Sequence, residues 1–176
     1  MNRVSLVQFF SEYQPTDRDE AAYIPRFLEL LAQQNCYERT HLPGHITGSA
    51  WIINPTRTHA LLVLHGKLNR WMQPGGHADG DEDILSVALK EAQEETGLHQ
   101  FTVLSKNPFD IDIHTIPERK DFPAHDHYDI RFLLEASQQD PVIVSEESQD
   151  VRWIPLNQIS DLTQERSVLR MREKLF

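Results

Sequence analysis

Glu91, Glu94 and Glu95 stand at i, i+3 and i+4 in the run Lys90-Glu91-Ala92-Gln93-Glu94-Glu95-Thr96-Gly97-Leu98. On an α-helix this spacing stacks three carboxylates on one face. Each close like-charge pair costs roughly a few tenths of a kcal/mol on an exposed helix. A solvated helix with no use for that repulsion would place lysines among them. Clustered hard oxygen ligands are what a divalent cation such as Mg²⁺ requires, and Mg²⁺ usually brings phosphate oxygens with it.

The neighbouring residues are those needed to hold such a helix in place. Asp81 is a good N-cap, and Glu82 and Asp83 put negative charge at the positive end of the helix dipole. Leu85, Ala88, Leu89 and Ala92 form an apolar stripe beside the glutamates, so the helix can dock and still present its acidic face. Gly97 suits the left-handed residue that ends a helix. Ahead of the helix, Pro74-Gly75-Gly76 is expected to exclude regular structure and let the backbone approach a ligand closely.

From Gly76 to Leu98 the chain resembles the signature of the Nudix (MutT-like) hydrolases: Gly, five residues, Glu, seven residues, then Arg-Glu-apolar-x-Glu-Glu-x-Gly-apolar. Gly76, Glu82, Glu91, Glu94, Glu95 and Gly97 fall in register, with Ala92 and Leu98 at the apolar positions. One position departs, since the family's Arg is Lys90 here. The resemblance implies an α/β/α sandwich with a mixed sheet (an α/β or α+β fold), covering about residues 44–165. It also implies metal-assisted hydrolysis of a diphosphate linked to another group. Glu91, Glu94 and Glu95, with the backbone carbonyl of Gly76, would hold Mg²⁺ or Mn²⁺. The metal would neutralise phosphate oxygens and activate a water. Lys90 could pair with a glutamate one turn on but lacks the bidentate fork of Arg. Glu82 would orient the loop or the helix rather than bind metal. The general base stays open: Glu94 is one candidate, and Glu146 or Glu147, ahead of Val151-Arg152-Trp153-Ile154-Pro155-Leu156, is another. A solvated loop is the plainer account of the latter pair.

A second cluster follows from strand periodicity. In His125-Asp126-His127-Tyr128-Asp129-Ile130-Arg131-Phe132, alternate residues share a face, so His125, His127, Asp129 and Arg131 point one way. An earlier strand puts Asp112 and His114 on one side, and pairing across the 117–123 loop would bring them near His127 and Asp129. A polar outer face, a phosphate- or ribose-binding wall and an extra Zn²⁺-like site are the alternatives. His77, beside Gly76, could join the wall. An imidazole there would change charge near neutrality. His41, His45, His59, His65 and His99 receive no role. Trp51, Trp71 and Trp153 read as core, and Tyr128 or Phe122 is a weak candidate for stacking on a base.

The remaining elements are a helical stretch over residues 1–40, with a capping pattern at Thr16 and a kink or restart at Pro25, and then strands. The strands are expected at 46–54, 60–65, 71–72, 101–104, 109–116, 128–135, 142–144 and 151–154, before a helical C-terminus after Pro155. The expected organisation is a helical extension over 1–40 and a Nudix hydrolase domain over 41–176. The extension suits padding or a homodimer contact better than catalysis.

At 176 residues one domain can bury a core unaided. A net charge of −10 without a basic block argues against nucleic acid as partner. It suits a small phosphorylated, nucleotide-like substrate carried with a cation. The single cysteine, Cys36, precludes an internal disulfide and fits a reducing compartment. With no leader and no apolar run of spanning length, a cytoplasmic protein without membrane contact is expected. Two rival functions share the fold. An isomerase of the isopentenyl-diphosphate type needs a cysteine in the sheet domain, whereas Cys36 lies among the N-terminal helices. A non-catalytic Nudix-like nucleotide-binding or regulatory module commonly loses signature glutamates, and all are present. The residues after the signature, Ile113-His114-Thr115, meet neither the ADP-ribose nor the dinucleoside-polyphosphate cue, and Leu62 to Lys67 do not match the coenzyme A pattern.

Overall fold

The computed structural model describes residues 1–120 and 122–176. Two helices come first, α1 (Arg3–Glu12) and α2 (Arg18–Leu31). Each is opened by a side chain that accepts from otherwise unpaired amides, Asn2 from Ser5 and Asp17 from Asp19 and Glu20. The cap of α2 is therefore Asp17, one residue after Thr16. Pro25 lies inside α2 without ending it, because Phe27, Leu30 and Leu31 beyond it are buried and hold the second half in line.

The strands β1 (Gly44–Ile53), β2 (His59–His65), β3 (Arg70–Met72) and β4 (Gly75–His77) lead into α3 (Ile84–Thr96). After it come β5 (Thr102–Val103), β6 (Asp110–Ile116), β7 (His125–Glu135) and β8 (Ser148–Pro155). A 3₁₀ turn at Leu156–Gln158, α4 (Ile159–Leu162) and α5 (Arg166–Glu173) follow. The strands form one mixed sheet in the order β3-β2-β1-β7-β5, with β4 on β1, β6 on β7 and β8 on β2. β1 and β7 run parallel from Gly44 opposite Asp126 to Ile53 opposite Glu135, and the other pairings are antiparallel. This is the α+β sandwich that the signature implied.

Alternation along β1 sorts its side chains between two cores. Ile46, Ala50 and Ile52, with Ile130, Phe132 and Leu134 of β7, meet Ile84, Val87, Ala88 and Ala92 of α3. Leu6, Phe10, Phe27, Leu30 and Leu31 of α1 and α2 cluster with Ile46, Ile130, Phe132 and the first half of α3, so the helical segment covers that part of the sheet. On the other face Trp51 and Ile53 pack with Ile154, Val168 and Met171. Earlier on that face the strand carries His45, Thr47 and Ser49, all buried and polar. No helix is long and apolar enough to cross a membrane among the described residues.

Three local expectations are corrected. Gly75-Gly76-His77 is not irregular but pairs with Thr47–Ser49 as β4, since the glycines let this backbone lie flat along β1. Residues 142–144 form no strand; the Ile143 amide instead donates to the Thr96 carbonyl at the end of α3 (2.8 Å), leaving Ile143 and Val144 exposed. Asp83 caps α3, accepting from the Ser86 amide, while Asp81 accepts from the Asp83 amide (2.8 Å) in the turn before it.

Candidate active site

Register on the sheet builds the site in rungs. His114 of β6, His127 of β7 and His45 of β1 are cross-strand neighbours. The next rung holds Asp112, Asp129, Thr47 and His77, the last from β4. The third holds Asp110, Arg131, Ser49 and Gly75. A polar surface thus runs across four strands, while α3 packs on the opposite face of the sheet and brings its glutamates to the same cleft past β4.

The acidic face of α3 meets that surface at β4. A Cβ built on Gly76 would lie 2.5 Å from the carboxyl carbon of Glu91, so this position needs glycine for close approach. Gly97 ends the helix in the left-handed conformation (φ 72°). Glu95 is 9% exposed, and its Oε1 accepts from the Gly75 amide at 3.3 Å. Burial, only partly offset by that amide and reinforced by Glu91, Glu147 and Glu94, pushes its carboxyl up to about 8. Burial and Glu94 likewise raise Glu91. Glu94 is exposed, with Lys90 Nζ 3.8 Å from its Oε1. Two desolvated carboxylates side by side, with a third at the rim, are a donor set suited to a hard divalent cation.

Beneath the cleft is a buried ion network. Arg131 contacts Asp129 (2.7 Å), Asp110 (3.1 Å) and Asp112 (3.3 Å). Arg170 of α5 contacts Asp110 (2.8 Å) and Asp112 (3.2 Å) and donates to the Ile111 carbonyl. Burial opposes ionisation of Asp112, but Arg131, the His114 hydrogen bond and Arg170 outweigh it and hold the carboxyl well below the usual range. Asp129 is fully engaged: Oδ1 accepts from Thr47 (3.1 Å) and Ser49 (2.6 Å), and Oδ2 from Gln73 (3.2 Å) and Arg131.

Gly76, His77, Lys90, Glu91, Glu94, Glu95, His125, His127, Asp129 and Glu147 all line one cleft of about 590 Å³, room for a nucleotide-sized ligand. Glu146 is not among the lining residues; Glu147 is fixed at the rim because its carbonyl accepts from the Gly66 amide (2.9 Å). Arg131 shares the histidine face but lies below the cleft. The expectation of imidazole titration near neutrality does not hold at His127, which burial and the surrounding histidines push down to about 2. His45, given no role from sequence, is fully buried in the same cluster, and burial takes it down to about 4. Its alternation with Thr47 and Ser49 was visible, but its partners were not. Lys67 and Arg119, which also line the cleft, carried no sequence signal either.

The NUDIX domain model matches residues 44–173. This chain belongs to the Nudix family. It is 30% identical over 112 residues to the asymmetrical bis(5'-nucleosyl)-tetraphosphatase of Rattus norvegicus, covering 63% of this chain and 73% of that protein. It is 27% identical over 117 residues to a probable DHNTP pyrophosphohydrolase of Lactococcus lactis subsp. cremoris, covering 65% and 69%. In fold it resembles a C. elegans Ap4A hydrolase solved as a binary complex (TM-score 0.60, 20% identity, 74% of this chain and 93% of that one). It also resembles the Nudix domain of Shewanella oneidensis NrtR complexed with ADP ribose (TM-score 0.56, 15% identity, 96% and 94%). That second likeness reaches into α1 and α2. Membership in the Nudix family implies the general reaction, hydrolysis of a phosphoric anhydride bond.

Proposed function

We propose that the cleft cleaves the pyrophosphate bond of a nucleoside diphosphate linked to another moiety, with Mg²⁺ or Mn²⁺ held by Glu91, Glu94, Glu95 and the Gly76 carbonyl. The observation that carries this reading is the desolvated pair Glu91, crowded against Gly76, and Glu95, held by the Gly75 amide, neither of them in a salt bridge among the described residues. When bound, the cation supplies charge neutralisation at the phosphate oxygens and a lower pKa for the attacking water.

The chain's own groups do the rest. Glu94 and Glu147, both exposed at the cleft, are the two candidates to take the proton of the attacking water. Lys90 reaches to 3.8 Å from the Glu94 carboxylate. Lys67 and Arg119 add positive charge where a phosphate chain would lie. His77, His125 and His127 form the opposite wall, and Asp129 acts by holding Thr47, Ser49 and Gln73 in place. Phe122 stands edge-on to the His125 ring (centroids 4.8 Å apart), an aromatic surface for a base. Residues 1–40 serve as a helical extension of the catalytic domain at 41–176.

The test is phosphate or nucleotide release in Mg²⁺ from a panel of nucleoside di- and triphosphates, nucleotide sugars and dinucleoside polyphosphates. Turnover of a linked nucleoside diphosphate, abolished by chelation, is expected. Tight binding of such compounds without turnover would assign the chain to non-catalytic binding modules instead.

A further inference from the structure

We propose that His45, His77 and His127 form a second cation site, for a transition-metal ion of the Zn²⁺ type, separate from the glutamates of α3. Three strands converge there. The parallel register of β1 and β7 sets His45 beside His127, and β4 brings His77 in from the other side of β1. One ligand atom from each residue can be chosen so that all lie within 4.8 Å of one another. The ring centroids make a near-equilateral triangle: 5.2 Å between His45 and His77, 5.0 Å between His45 and His127, 4.9 Å between His77 and His127.

Two of these rings carry a buried nitrogen with no hydrogen-bond partner. Nε2 of His45, a residue 0% exposed, and Nε2 of His127 are both unsatisfied among the described residues. Leaving such an atom buried and unpaired forfeits its hydration without a replacement partner. On His45 the other nitrogen is already used, because Nδ1 lies 3.3 Å from the His41 carbonyl. That contact requires Nδ1 to carry the proton and leaves a lone pair on the Nε2 of a neutral ring, with the His41 carbonyl fixing how the imidazole points. With one ring nitrogen from each residue within 4.8 Å of the others, a single ion among them would give the two unpaired nitrogens a partner.

Imidazole favours Zn²⁺ and its neighbours over Mg²⁺, so the two donor sets in the cleft discriminate by chemistry. Tetrahedral ligands at about 2.0–2.1 Å from Zn²⁺ lie about 3.3 Å apart, so small ring rotations complete the site. Three protein ligands leave a fourth position open, and because His77 and His127 line the cleft it faces the substrate space. The histidine wall would then meet an anionic group through the ion rather than by hydrogen bonds alone.

Titration of metal-stripped protein with Co²⁺ tests this, since tetrahedral cobalt absorbs in the visible and hexaaqua cobalt scarcely does. One equivalent should develop strong bands that Zn²⁺ abolishes by displacement. His77→Ala and His127→Ala should each weaken binding by more than about a hundredfold, beyond the effect of an outer-shell change. His125→Ala and the double variant Glu91→Gln/Glu95→Gln should keep it. X-ray absorption fine structure of the zinc-loaded wild type reads the imidazole count directly and needs no variant. Absence of cobalt bands, undiminished binding in both histidine variants, loss in the double glutamine variant, or fewer than three imidazoles on zinc would each overturn the site. None of these measurements uses turnover, so their outcome is independent of the hydrolase reading.

Discussion

Gly76 and Glu91 touch: the glycine Cα leaves only enough room for a hydrogen where the Glu91 carboxylate lies, and a Cβ would fall 2.5 Å from its Oε2. The strand β4 and the helix α3 are therefore held at a separation set by the absence of one methyl. Gly76→Ala is expected to push Glu91 aside, at a stability cost of about 1–3 kcal/mol. It should also reduce Mg²⁺-dependent turnover far more than that cost implies. Comparing kcat with the urea midpoint checks it, and an alanine variant with unchanged kcat would show that Glu91 need not stay where it is.

Glu94→Gln and Glu95→Gln keep shape and remove charge. Each should cut kcat by about two orders of magnitude or more, the scale on which a lost charged group at a reacting centre is felt. Circular dichroism should report an intact fold. Near-normal Mg²⁺-dependent rates in both variants would refute the proposed site.

The raised carboxyl of Glu95 makes the metal-free protein sensitive to pH. Folded, Glu95 keeps its proton up to about pH 8; unfolded, it loses it near 4.5. Between those values the folded state binds the extra proton, so this group's contribution to stability falls as pH rises. Melting in chelator should show Glu95→Gln gaining on the wild type between pH 5 and pH 8. Mg²⁺ binding must displace the same proton, so apparent Mg²⁺ affinity should climb by up to about tenfold per pH unit below 8. A flat pH profile in both measurements would contradict the assignment.

Lys90→Arg should preserve or modestly raise activity. The lysine reaches Glu94 only at 3.8 Å and is mostly exposed, and a guanidinium can hold a carboxylate by two hydrogen bonds. A steady-state comparison with several substrates decides it, because a large loss would reveal a contact between Lys90 and substrate.

Arg131 is 2% exposed and makes ion pairs with three aspartates at once. Arg131→Met should cost about 3–5 kcal/mol by leaving buried carboxylates short of a partner. Denaturant unfolding measures this. A variant of wild-type stability would mean that Arg170, Lys174 and His114 suffice for Asp110 and Asp112.

The acidic helix was legible in the sequence because its code is local: i, i+3, i+4 spacing fixes a face wherever the helix docks. The same holds for His125, His127 and Asp129, whose alternation needs nothing beyond the strand itself. Capping was legible only to within a residue or two, since Asp81 and Asp83 are equally good caps until the turn before α3 is built. What the tertiary structure decided is which local faces meet. His45 became part of the histidine cluster through the parallel register of β1 and β7, and no local period specifies that register. Arg170 reached Asp110 only because α5 folds back across the sheet. Gly75-Gly76-His77 became a strand because an unpaired stretch of β1 lay beside it. Local spacing presents a side chain; long-range pairing supplies its partner.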